Sequence, residues 1–308
     1  MIGFKHKKQK IINFIFWISI TSAIILRFSH LDTKVFWHDE IYTELRISEY
    51  KNIDPMNARS GKILSKKNLL VFQGVSDQKS LKDTLSSLSE YVHTPLYFVL
   101  LKYWQDLWGN SITAIRSLSA IFGVLCLPAL YLLTRQLFKS KQTAKIITSF
   151  LAVSPMFVRY SQDARPYSLW TLSAIISTYL LVIALKKNTI RSWLCYSFSI
   201  VLTSYSQLLS FCVYTGHFLY VLICEKKNFK VLVKYIISSA IGGLLFIPWL
   251  ILIVIPNLTS MKAQTAWMKI PMAYKALFKE QIINLNHLFI SLDFKNYTNS
   301  LIGICYFF

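Results

Sequence analysis

The sequence predicts an all-α polytopic membrane protein. Three observations carry this. Hydrophobic residues make up 54% of the 308 positions and charged residues only 16%, against about 25% charge in an average soluble chain. Apolar runs of membrane-helix character recur along most of the length. The basic residues, which set a net charge of +20, fall in short clusters between those runs and form no single patch. That is the pattern of cytoplasmic loops and not of a nucleic-acid surface, so no nucleic-acid partner is expected. The cysteines Cys126, Cys195, Cys212, Cys224 and Cys305 lie in or beside apolar runs with no CxxC pair. They are expected to be small core residues.

Lys5, Lys7, Lys8 and Lys10 precede the first apolar run at 11–26. No small-x-small cleavage site follows, so the segment is expected to be an uncleaved first span and not a signal peptide. Further runs lie at 112–134, 146–158, 168–185, 193–206, 209–224 and 231–255, giving about seven spans against a requirement of roughly 20 apolar residues each. Another run starts at Leu301 and stops at Phe308. The whole of 1–308 is therefore read as the N-terminal part of a longer transmembrane domain.

Loop charge predicts orientation. With a cytoplasmic N-terminus, alternate loops hold Lys5, Lys7, Lys8 and Lys10, then Arg135, Lys139, Lys141 and Lys145, then Lys186, Lys187 and Arg191, then Lys226, Lys227, Lys230 and Lys234, against the acid Glu225. The short loops on the other side hold only Arg159, Arg165 and Asp163. This is a positive-inside signal for a multi-pass protein of the cell membrane. The count of crossings works if 94–108 lies on the outer surface. Thr94 would cap that helix, Pro95 would take its first position, and Lys102, Gln105 and Asp106 would form a polar stripe. Residues 271–283 read as a second interfacial helix. The first outer loop, 27–93, collects most of the acids, which places the expected chemistry on that side.

Asp39 and Glu40 follow two aromatics in Phe36-Trp37-His38-Asp39-Glu40, just beyond the first span. One carboxylate can take a proton from a nucleophile; the other can bind substrate hydroxyls or a divalent metal. His93, at the head of His93-Thr94-Pro95-Leu96-Tyr97, can meet a phosphate, orient a carboxylate or ligate a metal. In Tyr160-Ser161-Gln162-Asp163-Ala164-Arg165-Pro166-Tyr167, Arg165 sits where basic residues are otherwise depleted, with a planar fork suited to phosphate. Asp163 and Arg165 neutralising each other is the plainer alternative. Weaker candidates are Gln73, Tyr205, Ser206, Gln207 and His217. No phosphate-cradling Gly loop, zinc-ligand pattern or GxSxG is present.

The combination of W-x-DE at 37–40, HTPLYF at 93–98, SLSAIFGVLCLPALYLLTRQLF at 117–138 and SPMFVRYSQDARPYSLW at 154–170 resembles the GT-C membrane glycosyltransferases. Within them it is similar to family 39, the dolichyl-phosphate-mannose-protein mannosyltransferase-like group of bacteria, over most of residues 10–255. Thr94 stands where such sequences often have a second Pro, and Asp163 where many have Glu. The resemblance implies a GT-C helix bundle with outer-face interfacial helices and a polyprenyl-phosphate sugar donor in the membrane lipid. It also implies an acceptor that is a lipid, a glycan or a protein. It makes Asp39 the catalytic carboxylate, completed by Glu40, and puts His93, Asp163, Arg165 and Tyr167 in the donor-binding region. The competing class is a transporter or lipid-linked sugar flippase, which would place ionisable groups near the membrane midplane and show repeats. The spans here lack acids and no repeat is evident.

Overall fold

The computed structural model describes residues 2–47, 84–85, 88, 93–225, 228–259, 262, 271 and 273–289. Gln73, the acids at 49, 54, 77, 83 and 90, Lys226, Lys227, Cys305 and the run from Leu301 lie outside these residues. In chain order the elements are α1 (Ile2–Phe28), α2 (His38–Ile47), α3 (Leu96–Trp108), α4 (Ile112–Phe138), α5 (Lys141–Val153), α6 (Pro155–Ser161), α7 (Tyr167–Lys187), α8 (Ile190–Ser206), α9 (Ser210–Glu225), α10 (Phe229–Leu244) and α11 (Tyr274–His287). After α10 the chain continues through a short turn of helix, Ile247–Trp249, and a π-helical stretch, Leu250–Val254. His6–Phe28, Ile112–Phe138, Tyr167–Lys187 and Phe229–Val254 are long and apolar enough to cross a membrane. The chain is an all-α polytopic membrane protein.

The helix ends follow from local chemistry. Ser111 accepts from Ala114 N and opens α4; Ser140 accepts from Thr143 N and opens α5. Ser154 closes α5 and caps α6, with Pro155 at its first turn, so the predicted run 146–158 is divided between two helices. Asn188 ends α7 in the left-handed region (φ 49°), which Asn tolerates, and a Thr189–Ser192 capping box restarts the chain as α8.

Contacts fix the direction of the helices. Lys145, early in α5, donates to Asn13 of α1, while Arg27, late in α1, donates to Ala152 O at the far end of α5 (2.8 Å), so these two run parallel. Arg116, one turn into α4, reaches carbonyls just past α1, so α4 runs against them. Lys234 in α10 meets Asn188 at the end of α7 (2.9 Å), and Tyr205 near the end of α8 meets Leu245 O just past α10 (3.2 Å). The bundle therefore has two unlike ends. Lys7, Lys8, Lys10, Arg135, Lys141, Lys145, Lys186, Lys187, Arg191, Lys230 and Lys234 lie at one. The close of α1, α2, the start of α4 and the turn 162–166 lie at the other.

That second end has its own core. Ile47, Tyr97, Phe98, Leu101, Ile115, Leu118, Ala164, Leu169 and Trp249 pack together, tying α2 and α3 to the bundle. Each large apolar side chain buried there contributes about 1.5–3 kcal/mol. Farther down, a Cβ on Gly242 would sit 2.9 Å from Ser197 O, so α8 and α10 approach closely there because α10 carries no side chain at that point.

Three local expectations are corrected. Thr94 does not cap α3: Pro95 precedes the helix with no side-chain cap, and the buried Thr94 Oγ1 has no hydrogen-bond partner. The stripe on α3 does not face water throughout, because Lys102 and Gln105 are buried while Asp106 is exposed. Gln105 Nε2 donates to both oxygens of Glu44 on α2 (3.1 and 3.2 Å), so tertiary packing claims that face. Of the described cysteines only Cys126 is a core residue; Cys195, Cys212 and Cys224 are exposed on the bundle's outer surface.

Candidate active site

The turn between α1 and α2 is tied to the bundle by Gln162, which donates to Ser29 O (3.1 Å), by the Lys34–Asp163 pair and, above all, by Arg116. Arg116 rises from α4 and is completely buried. Its Nη1 donates to Leu31 O (2.5 Å) and Lys34 O (2.9 Å), and its Nη2 to Val35 O (3.1 Å). Its Nε and Nη2 grip the two oxygens of Glu40 (2.8 and 2.7 Å). All the guanidinium donors are thus used. Glu40, also fully buried, accepts further from Ala164 N (2.8 Å) and Trp37 N (3.3 Å). A charged pair at zero exposure is tolerated here because every lone pair and proton has a partner.

Asp39 precedes Glu40 on the first turn of α2 and faces another way. Its carboxylate is 34% exposed. Oδ2 lies 3.6 Å from Arg165 Nη2, and Oδ1 lies 3.7 Å from Nδ1 of the exposed His38. Arg165 is nearly buried and donates through Nη1 to Asp39 O and Thr43 Oγ1 (3.1 Å each), with Nη2 3.4 Å from His93 Nε2. Its guanidinium carbon lies 5.9 Å from the centre of the Tyr167 ring, within reach of a cation–π contact.

The three consecutive residues 163–165 contact three different groups. Asp163 pairs with Lys34, Ala164 N with Glu40, and Arg165 with Asp39. Asp163 and Arg165 therefore do not neutralise each other. All six residues singled out in the sequence, Asp39, Glu40, His93, Asp163, Arg165 and Tyr167, converge on one end of the bundle. Sequence reasoning missed Arg116, Lys34 and Thr43. Arg116 carried a signal, being a lone cation one turn into an apolar helix, where an ionisable group has a partner or a task. Tyr205 packs instead on Phe246, and His217 bonds to Tyr196 and Thr178 inside the bundle.

Electrostatics follow from burial. His93 is pushed well below its ordinary 6.5, first by burial and then by Arg46 and Arg165. An arginine can only donate, so the contact to Nε2 goes with a neutral ring protonated on Nδ1. Asp163 is pushed up from 3.8 because burial outweighs the Lys34 ammonium. The two act with opposite signs. For His93 the unfolded chain binds its proton near 6.5 and the folded chain only well below that, so stability falls as pH falls below 6.5. For Asp163 the stability present at low pH is lost as pH rises above 3.8. Thermal unfolding in detergent, followed from about pH 7.5 down to about 5, should show a decline that His93→Gln flattens. An unchanged slope in that variant would assign the proton uptake to another group.

Among the described residues no three of His, Cys, Asp and Glu converge, whereas a catalytic zinc takes three protein ligands. Asp39 is a partly exposed carboxylate beside a fixed cation, an arrangement suited to taking a proton and stabilising negative charge.

No curated protein sequence matches the chain. The family model described as dolichyl-phosphate-mannose-protein mannosyltransferase matches residues 92–252. The match takes in His93, Arg116, Asp163, Arg165 and Tyr167 and stops short of Asp39 and Glu40, which the Arg116 and Ala164 contacts join to it. With just over half its length matched, the chain belongs to the dolichyl-phosphate-mannose-protein mannosyltransferase family and is a membrane glycosyltransferase.

Proposed function

We propose that the protein transfers a monosaccharide from a polyprenyl-phosphate donor to an acceptor hydroxyl at the outer face of the membrane, with Asp39 as general base. The observation that carries this is the division of labour in the acidic pair: Glu40 is saturated and buried, while Asp39 presents an open carboxylate at the rim. Asp39 takes the hydroxyl proton as the acceptor oxygen attacks the anomeric carbon. The bond from that carbon to the phosphate oxygen breaks, and the electron pair leaves with the polyprenyl phosphate. A single displacement inverts the anomeric centre, by analogy with inverting hydrolases. Glu40, Arg116 and Arg165 are positioning residues that aim Asp39, and His93 and Tyr167 brace Arg165.

The outer face is favoured because the basic loops collect at the opposite end of the bundle, which the positive-inside rule assigns to the cytoplasm. The test supplies membranes containing the chain with radiolabelled polyprenyl-phosphate sugars and, separately, with nucleotide sugars. Label should move from the lipid donors alone. Transfer from a nucleotide sugar with none from the lipid would overturn the donor class.

A further inference from the structure

Helix α6 reaches the site by lying directly on α4. The contact is made at Gly123, which is buried. A Cβ there would collide with Ser161 Oγ and come within 2.6 Å of Ser161 Cβ and 3.2 Å of Arg27 Nε. Ser161 is the last residue of α6 and is fully buried. Its hydroxyl donates to Phe157 O (2.6 Å), one turn back. The floor beneath is fixed as well. Arg27, also fully buried, donates to Ala23 O (3.0 Å) and Ala152 O (2.8 Å), and its guanidinium carbon lies 5.1 Å from the centre of the Phe157 ring. Ala152 O belongs to the closing turn of α5, the negative end of that helix, which favours a cation.

The turn 162–166 follows at once. Gln162 Nε2 donates to Leu26 O (2.6 Å) and Ser29 O (3.1 Å). Ala164 N then meets Glu40, and Arg165 meets Asp39 O and Thr43. On α4, positions 116, 119 and 123 share one face, at the spacing of successive helical turns. Arg116 holds Glu40, Ser119 Oγ donates to Arg165 O (3.3 Å), and Gly123 receives Ser161. One face of α4 therefore carries both halves of the site.

We propose that Gly123 is a positioning residue for the transfer reaction. By bringing no side chain, it sets the depth at which α6 beds on α4, and hence the point at which Ala164 N and Arg165 meet the acidic pair. The proposal rests on the reading of Asp39 as the base. Carbon atoms settle at about 3.5–4.0 Å, so alanine at 123 would push Ser161 away by roughly 1 Å. Turning the Ser161 side chain gives no relief, because its Cβ is itself too close. The turn 162–166 would move with it, and a misplacement of about 1 Å can cost about 10²-fold in rate.

The test compares Gly123→Ala, Ser161→Gly and the double variant in phosphatidylcholine nanodiscs. One readout is steady-state transfer from the polyprenyl-phosphate sugar that serves the unaltered chain, per folded molecule. The other is amide hydrogen exchange over 162–165, where Glu40 holds the Ala164 N–H. Alanine is the better helix former, so a loss comes from the α6 contact and not from α4 itself. Gly123→Ala should lose at least about tenfold in kcat with donor KM changed by less than about threefold, and 162–165 should exchange faster. The double variant should return to the level of Ser161→Gly alone in both readouts. Gly216→Ala, where an added Cβ meets nothing within 4 Å, should change neither. Normal turnover and exchange in Gly123→Ala, a lower melting temperature with kcat per folded molecule unchanged, or losses that Ser161→Gly does not repair would overturn the proposal. Should Gly123→Ala not insert, the double variant decides: turnover near that of Ser161→Gly upholds the role of Gly123, and failure in both removes it. If the unaltered chain transfers from no polyprenyl-phosphate sugar, the donor reading fails, and exchange over 162–165 decides the role of Gly123 by itself.

Discussion

Asp39→Asn should insert and fold normally yet lose about 10²–10⁴-fold in transfer rate, the usual contribution of a positioned base. The change is nearly isosteric and touches no buried network. Arg165 reaches Asp39 through its backbone carbonyl at 3.1 Å, which the substitution keeps, and Thr43 Oγ1 donates to that same carbonyl at 3.2 Å. The carboxylate oxygens themselves stand at 3.6–3.7 Å from Arg165 and His38, beyond ordinary hydrogen-bond length. What disappears is the capacity to accept the hydroxyl proton. The other basic groups nearby are poor substitutes. Glu40 has all its lone pairs engaged by Arg116, Ala164 N and Trp37 N. His93 points Nε2 at Arg165. The measurement is single-turnover transfer by protein shown to be correctly inserted and to bind polyprenyl phosphate as before. Near-normal turnover would take the base away from Asp39.

How much of this was legible in the sequence depends on the residue. Helix ends were only partly read: Ser111, Ser140, Ser154-Pro155 and Thr189 state their caps within a few positions, yet the expected run 146–158 crossed the Ser154 break and the one cap expected, Thr94, makes none. The adjacent carboxylates at 39–40 were legible as chemistry but not as a division of roles. Neighbours on a helix point about 100° apart, so one of two consecutive acids turns inward, and which one depends on where Arg116 rises 76 positions later. The stripe on α3 was legible as a face, while what covers it was not. Covering Gln105 requires Glu44, 61 positions away, and that pairing is a property of the assembled end of the bundle. Lys34 was overlooked for a similar reason. In sequence it is a loop lysine, and only the fold puts Asp163 against it.

The largest structural effect is expected at Arg116. Arg116→Met should destabilise the chain by about 3–5 kcal/mol, because removing one partner strands a buried charge. The loss extends past Glu40: the carbonyls of Leu31, Lys34 and Val35 lose the donors that shape the turn into α2. Glu40→Gln should cost less, since the amide oxygen can still accept from Arg116 or Ala164 N. Replacing both residues with apolar ones, as in Arg116→Met with Glu40→Leu, should recover part of the stability, because no uncompensated charge remains. It should not recover activity. Without the guanidinium the 31–37 turn keeps only the Lys34–Asp163 pair to the rest of the bundle, and Asp39 loses its aim although its own side chain is untouched. Thermal unfolding in detergent together with transfer rates for the unaltered chain, Arg116→Met, Glu40→Leu and the double variant gives both quantities. The distinguishing result is a coupling in stability without a matching rescue of turnover. A cost below about 1 kcal/mol for Arg116→Met would mean that the pair organises nothing, and the site geometry would then need another support. Rescue of turnover in the double variant would show that Asp39 is aimed by Arg165 and the α2–α3 packing alone.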